Sequence, residues 1–175
     1  FSEDPYLTGV LASSYVNGIQ SKNIGVSLKH FCCNNREFDR LYQSSDVDYR
    51  TLREVYTKAF EMVIKDANPY TIMCSYNAVN GINVAENKFI LNDVLRDKLH
   101  FENVLISDWG AVHNRVVALK ASLDIQFPYD EVQIKKLQRA LNKPEIEKLA
   151  DDSLQRIEKL CEKVKYNKEH KQEPL

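Results

Sequence analysis

The stretch Val104-Leu105-Ile106-Ser107-Asp108-Trp109-Gly110 places a carboxylate and an aromatic ring directly after a short apolar run. A short, continuous and β-branched run is typical of a strand that is buried on both faces of a parallel sheet. In a parallel α/β barrel the carboxyl ends of the strands meet at one mouth, where catalytic groups collect. A carboxylate beside an aromatic ring suits a sugar, which has an apolar face and a polar edge. An Asp that caps the following helix explains the same residues equally well.

Short apolar runs alternate with longer amphipathic stretches along the chain. The pattern predicts strands over residues 24–28, 71–74, 103–106 and 122–127, and helices over residues 5–20, 49–67, 88–99 and 116–120. A charged helical segment is predicted beyond residue 128. Four strand–helix units favour right-handed βαβ connections and a parallel sheet. We therefore predict an α/β fold, a partial (β/α)8 TIM-like barrel of about four βα units with a C-terminal helical tail. A doubly wound sheet fits the same period.

The composition is that of an ordinary folded domain. The chain has 175 residues, 43% of them hydrophobic, and its 24 basic and 25 acidic residues leave a net charge of −1. No basic patch is interleaved with aromatic residues, so we expect no nucleic-acid partner. No apolar run is long enough to span a bilayer, so we expect no membrane partner.

The cysteine pattern argues against a metal site. None of the spacings matches a zinc motif, and the chain has four cysteines, namely Cys32, Cys33, Cys74 and Cys161. Three of them lie at predicted strands, where a thiol usually behaves as a small buried hydrophobe. Reduced cysteines favour a cytoplasmic location. The chain also lacks a glycine-rich phosphate loop, which argues against a nucleotide-binding sheet. We expect no metal and no cofactor.

Polar and aromatic side chains follow three successive predicted strands. The first strand leads to Lys29 and His30, the second to Tyr76, and the third to Asp108 and Trp109. A polar loop over residues 34–48 is long enough to be functional and adds further charged side chains, namely Arg36, Glu37 and Arg40. Each residue taken singly has a structural explanation, such as a rim lysine, a core histidine or a core aromatic. Their joint occurrence at successive strand ends favours a carbohydrate site.

At these residues the sequence resembles the family 3 glycoside hydrolases, the β-glucosidase and β-xylosidase group. The motifs that carry the resemblance occur in the family's order and spacing: Phe1-Ser2-Glu3-Asp4-Pro5-Tyr6-Leu7, Lys29-His30-Phe31 with Asn34, Asn35, Glu37 and Arg40, Met73-Cys74-Ser75-Tyr76-Asn77, Val79-Asn80-Gly81 and Ser107-Asp108-Trp109. Several linked motifs make the resemblance specific. It extends from Phe1 to about Val164.

The resemblance implies a role for each matching residue. Asp108 corresponds to the nucleophile of a retaining mechanism, which forms a covalent glycosyl-enzyme. Lys29, His30 and Arg40 correspond to the residues that hold the sugar hydroxyls in the first subsite. Tyr76 corresponds to a substrate-site tyrosine near the nucleophile, and Met73 and Trp109 would line the same subsite. His113 and Asp124 have no such counterpart, and we expect them to be structural.

The resemblance also implies parts that lie outside this sequence. Residues 1–164 correspond to part of the family's N-terminal catalytic domain, and residues 165–175 to a charged tail or the start of a linker. The family's earlier barrel strands precede Phe1, and its general acid/base lies in a second α/β sandwich domain. We therefore expect a fragment of a β-glucosidase-like enzyme for a small β-glucoside or oligosaccharide. Its partners would be the missing barrel half and the second domain, and the 175-residue chain alone would be nearly inactive. The alternative is a catalytically dead half-barrel that binds sugar weakly or serves in assembly.

Overall fold

The computed structural model of the chain describes residues 1–169, with all side chains except those of residues 167 and 168. The strands are β1 (Ser27–Phe31), β2 (Ser44–Ser45), β3 (Thr71–Cys74), β4 (Ala78–Val79), β5 (Ile82–Asn83) and β6 (Val104–Ile106). The α-helices are α1 (Pro5–Gln20), α2 (Tyr49–Thr51), α3 (Lys58–Ala67), α4 (Arg115–Lys120), α5 (Glu131–Ala140) and α6 (Pro144–Glu169).

The central sheet is parallel and runs in the order β1-β3-β6. Lys29 of β1 lies opposite Met73 of β3, and Met73 lies opposite Ile106 of β6. The three strands therefore end at the same edge of the sheet. This confirms the α/β fold and the parallel pairing that the strand–helix alternation predicts.

Helix α1 has the bounds that the sequence predicts. Asp4 caps it by accepting hydrogen bonds from the Tyr6 and Leu7 N–H groups, and Pro5 occupies the first helical position, where no N–H is needed. Its buried face packs against α3. The buried residues of the two helices form a small apolar cluster, against which Leu28 of β1 packs.

Strand β1 begins and ends later than predicted. The sequence predicts residues 24–28, with Lys29 and His30 beyond the end, whereas both lie inside the strand. β1 is at the edge of the sheet, where polar and exposed side chains are tolerated. Gly25 precedes the strand and lies under the Tyr70 ring, since an added Cβ would come 2.5 Å from Tyr70 Cδ2.

The prediction of a fourth strand over residues 122–127 is wrong. This segment forms only an isolated parallel bridge, between Ile125 and Ile106. Ser122 begins it with a left-handed backbone, at φ 77°. The Asp124 carboxylate then accepts the Leu105 N–H at 2.8 Å, so a side chain occupies a position that a ladder carbonyl would otherwise fill. The interrupted ladder leaves one bridge instead of a strand.

A second, small sheet and two π-helices are absent from the sequence prediction. β2, β4 and β5 form that sheet, with β2–β4 parallel and β4–β5 antiparallel. One π-helix, Leu52–Tyr56, divides the predicted helix over residues 49–67, and the other, Phe89–Lys98, replaces the predicted helix over residues 88–99. Neither a strand of two residues nor a π-helix produces a hydrophobic periodicity by which the sequence could predict it.

The core lies between the central sheet and its helices. Its largest fully buried side chains include Phe31, Phe101, Leu52, Ile72, Ile90, Leu91, Leu95, Leu105 and Leu123. Helix α6 extends through Glu169, so the helix continues into the segment that the sequence assigns to a tail. Residues 170–175 of that tail lie outside the described residues. Within residues 1–169 no helix is long and apolar enough to cross a membrane.

Candidate active site

Asp108 lies two residues beyond β6, at the edge where the parallel strands end. Its side chain is 15% exposed, and its Oδ1 accepts the Trp109 N–H at 2.7 Å. The next helix, α4, is capped by Asn114, whose Oδ1 accepts the Val116 N–H. Helix capping therefore does not explain Asp108, and one of its carboxylate oxygens faces the neighbouring strand ends.

His30 brings the end of β1 to that carboxylate. Its Nε2 lies 3.4 Å from Asp108 Oδ2. Burial lowers the pKa of His30 below its ordinary value, the Asp108 carboxylate opposes this shift, and the neighbouring Lys29 ammonium reinforces it. A neutral imidazole beside a carboxylate can exchange hydrogen bonds with hydroxyl groups at neutral pH.

Tyr76 reaches the same carboxylate from the end of β3. Burial raises the pKa of the Tyr76 hydroxyl, and its hydrogen bond to Asp108 raises it further. The Arg40 guanidinium lies over the Tyr76 ring, with Cζ 4.8 Å from the ring centre. The loop over residues 34–48 therefore contributes a cation, Arg40, to the cluster of His30, Tyr76 and Asp108.

Glu37 is a member of this cluster to which the sequence assigns no role. Its Oε2 pairs with Arg40 Nη1 at 2.7 Å, and its Oε1 accepts a hydrogen bond from Asn34 at 3.2 Å. The spacing of Glu37 and Arg40 by three positions was visible in the sequence. Their pairing outside a helix was not, because it depends on the path of the loop.

The remaining predicted residues lie around the cluster. Lys29 is exposed, and it faces half-buried Met73 across the sheet. Trp109 is 67% exposed, which rules out a core role for its ring. The structure thus brings His30, Tyr76 and Asp108 into direct contact, and it leaves Lys29 and Trp109 open to solvent.

Asp124 has the structural position that the sequence predicts. Its carboxylate is fully buried and pairs with Arg96 and Arg156, each at 2.8 Å. Arg115 donates a hydrogen bond to the Asp124 carbonyl oxygen at 2.7 Å. These contacts hold residues 122–127 to the π-helix Phe89–Lys98, to α4 and to α6.

The donor set of the site is compatible with a carbohydrate ligand. A neutral imidazole, a phenol, a guanidinium and a carboxylate provide both donors and acceptors to a polyhydroxylated ring. Among residues 1–169, no group of three or more His, Cys, Asp or Glu side chains could hold a metal ion.

Comparison with known proteins points to one family. A family model described as the Glycosyl hydrolase family 3 N terminal domain matches residues 1–160. The chain is similar to an Exo-alpha-(1->6)-L-arabinopyranosidase of Bifidobacterium breve, with 51% identity over 136 residues, which are 77% of this chain and 18% of that protein. It is also similar to Thermostable beta-glucosidase B of Acetivibrio thermocellus, with 46% identity over 128 residues, which are 73% of this chain and 17% of that protein. The chain thus spans less than a fifth of these relatives.

Comparison with solved structures indicates the same family. A beta-glucosidase of Bifidobacterium adolescentis matches with a TM-score of 0.90 and 43% identity over 95% of this chain and 25% of its own. A beta-glucosidase of Kluyveromyces marxianus, crystallised in complex with glucose, matches with a TM-score of 0.91 and 38% identity over 97% of this chain and 21% of its own. The family model and the solved structures agree across nearly the whole described chain, which therefore belongs to glycosyl hydrolase family 3 through its N-terminal domain.

Proposed function

We propose that this chain provides the nucleophile and part of the sugar-binding side of a retaining β-glycosidase, with Asp108 as the nucleophile. The observation that carries the proposal is the contact of His30 and Tyr76 with the Asp108 carboxylate at one edge of a parallel sheet. Catalytic residues of barrel enzymes come from the ends of several different strands, and these three follow that rule.

In the proposed mechanism the Asp108 carboxylate attacks the anomeric carbon and forms a covalent glycosyl-enzyme, which water then hydrolyses. The Asp108 oxygen that does not accept the Trp109 N–H is the one that faces His30. Lys29, His30 and Arg40 would hold the sugar hydroxyls, and Met73, Tyr76 and Trp109 would surround the ring. A second carboxylic acid must protonate the leaving group. The family resemblance assigns that acid to a second domain.

The proposed architecture is part of a (β/α)8 barrel that works within a longer protein. Support comes from the three parallel strands with their helices and from the short share of its relatives that the chain spans. The outer face of α1 also exposes apolar side chains, which the rest of the barrel would cover. These are Tyr6, Leu7, Val10, Leu11 and Tyr15.

The proposed substrate is a pyranoside cleaved at its non-reducing end, with a β-glucoside as the first choice. Two relatives support the choice of sugar, one named a beta-glucosidase and one crystallised with glucose. The relative named an arabinopyranosidase makes an aryl α-L-arabinopyranoside the second substrate to test.

A hybrid enzyme tests the proposal directly. In this hybrid, residues 1–160 replace the matching segment of the Kluyveromyces marxianus beta-glucosidase, so that the rest of the architecture is present. We expect it to hydrolyse an aryl β-glucoside. Asp108→Asn should reduce turnover by roughly 10⁴-fold or more, the scale seen when a nucleophile is lost.

The matched control is Asp66→Asn, because Asp66 is an exposed aspartate in α3. This variant should keep the activity of the hybrid. Near-normal activity of Asp108→Asn would contradict the assignment of the nucleophile. A hybrid that binds glucose but shows no turnover would instead support the sugar-binding alternative.

A further inference from the structure

Beside the sugar-binding side chains lies a cluster of thiols that the proposed mechanism does not use. Cys32 and Cys33 follow β1 directly, Cys74 ends β3, and all three are free and buried. The sulfur atoms of Cys32 and Cys33 lie 3.6 Å apart, although the two residues are adjacent in sequence. Adjacent residues usually point their side chains apart, so this pairing requires a special backbone.

That backbone is fixed by hydrogen bonds to both cysteine carbonyls. Ser75 Oγ donates to the Cys32 oxygen at 2.9 Å, and Ser45 Oγ donates to the Cys33 oxygen at 2.8 Å. The Asn77 amide donates to both, at 3.3 and 3.4 Å. Cys33 itself has a left-handed backbone at φ 65°. The two thiols are therefore held together before any ligand arrives, which reduces the entropic cost of binding one.

The pair has one accessible member. Cys33 is 5% exposed and lines an open cleft of about 330 Å³ together with Lys29, His30 and Asn34. The hydrogen bond from Cys33, together with burial, raises the pKa of the Cys32 thiol well above its ordinary value, and burial raises the pKa of the Cys74 thiol to about 12. Both buried groups thus remain thiols at neutral pH, and they are poor nucleophiles for ordinary alkylating reagents.

We propose that Cys32 and Cys33 form a two-thiol site for soft, thiophilic ligands, and specifically for monosubstituted trivalent arsenic, which enters by the cleft at Cys33. Soft ligands prefer sulfur donors. A site of two sulfurs suits an arsenic atom that already has one carbon substituent and needs two more bonds. No larger metal-binding group is available among the described residues.

The reaction requires no oxidant or reductant. Phenylarsine oxide reacts with two thiols, so that two arsenic–sulfur bonds form and the arsenic–oxygen bonds break. Both thiol protons leave with the oxygen as one molecule of water. Arsenic remains trivalent throughout. The first bond forms at Cys33, which faces the cleft, and the second closes the ring at Cys32.

The test is intact-mass spectrometry of the folded chain after addition of equimolar phenylarsine oxide. We expect one phenylarsenic group per chain, which resists an excess of 2-mercaptoethanol and is removed by 2,3-dimercaptopropanol, because only a second dithiol competes with a chelate. Replacing Cys33 should weaken retention by roughly 10²-fold or more, the scale of a lost chelate. Cys33→Ser and Cys33→Ala are both prepared. The variant that keeps the melting temperature of the parent chain is the one whose retention of the phenylarsenic group is compared with that of the parent.

Cys161→Ser is the matched control, because Cys161 is an exposed thiol on α6 without an adjacent cysteine. It should bind arsenic as the parent chain does. Retention of the adduct in the Cys33 variant would overturn the proposal, and so would an adduct that forms only after unfolding in urea. Failure of the folded chain to bind, under conditions in which Cys161 is alkylated, would overturn it as well. None of these results depends on glycosidase activity.

Discussion

His30 lies between charges of both signs, and burial dominates its titration. The Asp108 carboxylate favours the charged imidazolium, whereas Lys29 and Arg40 disfavour it, and the net effect is a pKa below the ordinary value of His. His30 is 37% exposed, so solvent reduces all of these effects. At neutral pH the site therefore holds a neutral His30 imidazole beside the Asp108 side chain.

This makes the stability of the chain depend on pH in a defined direction. Because the folded pKa of His30 is lowered, the unfolded state binds the proton more readily. The stability contribution is complete above the unfolded pKa of about 6.5 and is lost as the pH falls through the folded pKa. In urea unfolding at pH 8 and pH 5.5, His30→Gln should lose less stability on acidification than the parent. Equal losses would contradict this account of His30.

Asp108 and Asp124 show how far single residues can be interpreted from sequence. Asp108 comes after its apolar run and Asp124 lies within one, and the structure accordingly leaves the first at the open edge and buries the second. The sequence could not identify the arginines that neutralise Asp124, because Arg96 and Arg156 are 28 and 32 positions away. Nor could it show that Arg40 stacks on Tyr76, since that contact depends on the loop path.

At the scale of elements, the α1–α3 contact depends on a small residue. Gly9 faces α3, and an added Cβ would lie 2.5 Å from Met62 Sδ, whereas a Cβ at Gly18 would meet nothing within 4 Å. Periodicity predicted α1 well because a long helix repeats its signal over several turns. It failed for residues 122–127 because one carboxylate, that of Asp124, replaces the ladder partner of Leu105.

The two glycines of α1 form a matched pair for mutagenesis. Gly18→Ala should stabilise the chain by about 0.5–1 kcal/mol, because alanine loses less backbone entropy in a helix. Gly9→Ala should gain the same propensity but force Met62 to move, for a net loss of about 1 kcal/mol or more. Urea unfolding of both variants measures the difference. Equal stabilisation by the two would show that α1 does not pack on α3 as described.

The segment after α4 is held by a buried charge. Asp124→Asn should destabilise the chain by about 3 kcal/mol or more, because Arg96 and Arg156 would lose the partner of their charges. Asp108→Asn should change stability by less than about 1 kcal/mol. Thermal or urea unfolding checks both. A larger loss for Asp108→Asn than for Asp124→Asn would contradict the division between functional and structural carboxylates.

At the scale of the whole molecule, the site assembles from distant parts of the chain. His30, Tyr76 and Asp108 meet only when three parallel strands pair in register. The family resemblance assigns the acid catalyst to a second domain, so the chain alone should lack the general-acid contribution of roughly 10²–10⁴-fold.

The 175-residue chain should therefore show at most trace turnover, and only with leaving groups that need no proton. We expect slow release of 4-nitrophenol from an aryl β-glucoside and no detectable cleavage of methyl β-glucoside, measured by absorbance and by glucose release. Comparable rates for the two substrates would show that the chain supplies an acid of its own.

Trapping of the covalent intermediate tests the central claim most directly. A 2,4-dinitrophenyl 2-deoxy-2-fluoro-β-glucoside has a leaving group that departs easily, and its fluorine slows hydrolysis of the glycosyl-enzyme, so the nucleophile stays labelled. Peptide mapping of the hybrid enzyme should find the fluoroglucosyl group on Asp108 and on no other carboxylate, and Asp108→Asn should remain unlabelled. A label on any other Asp or Glu would contradict the assignment of Asp108 as the nucleophile.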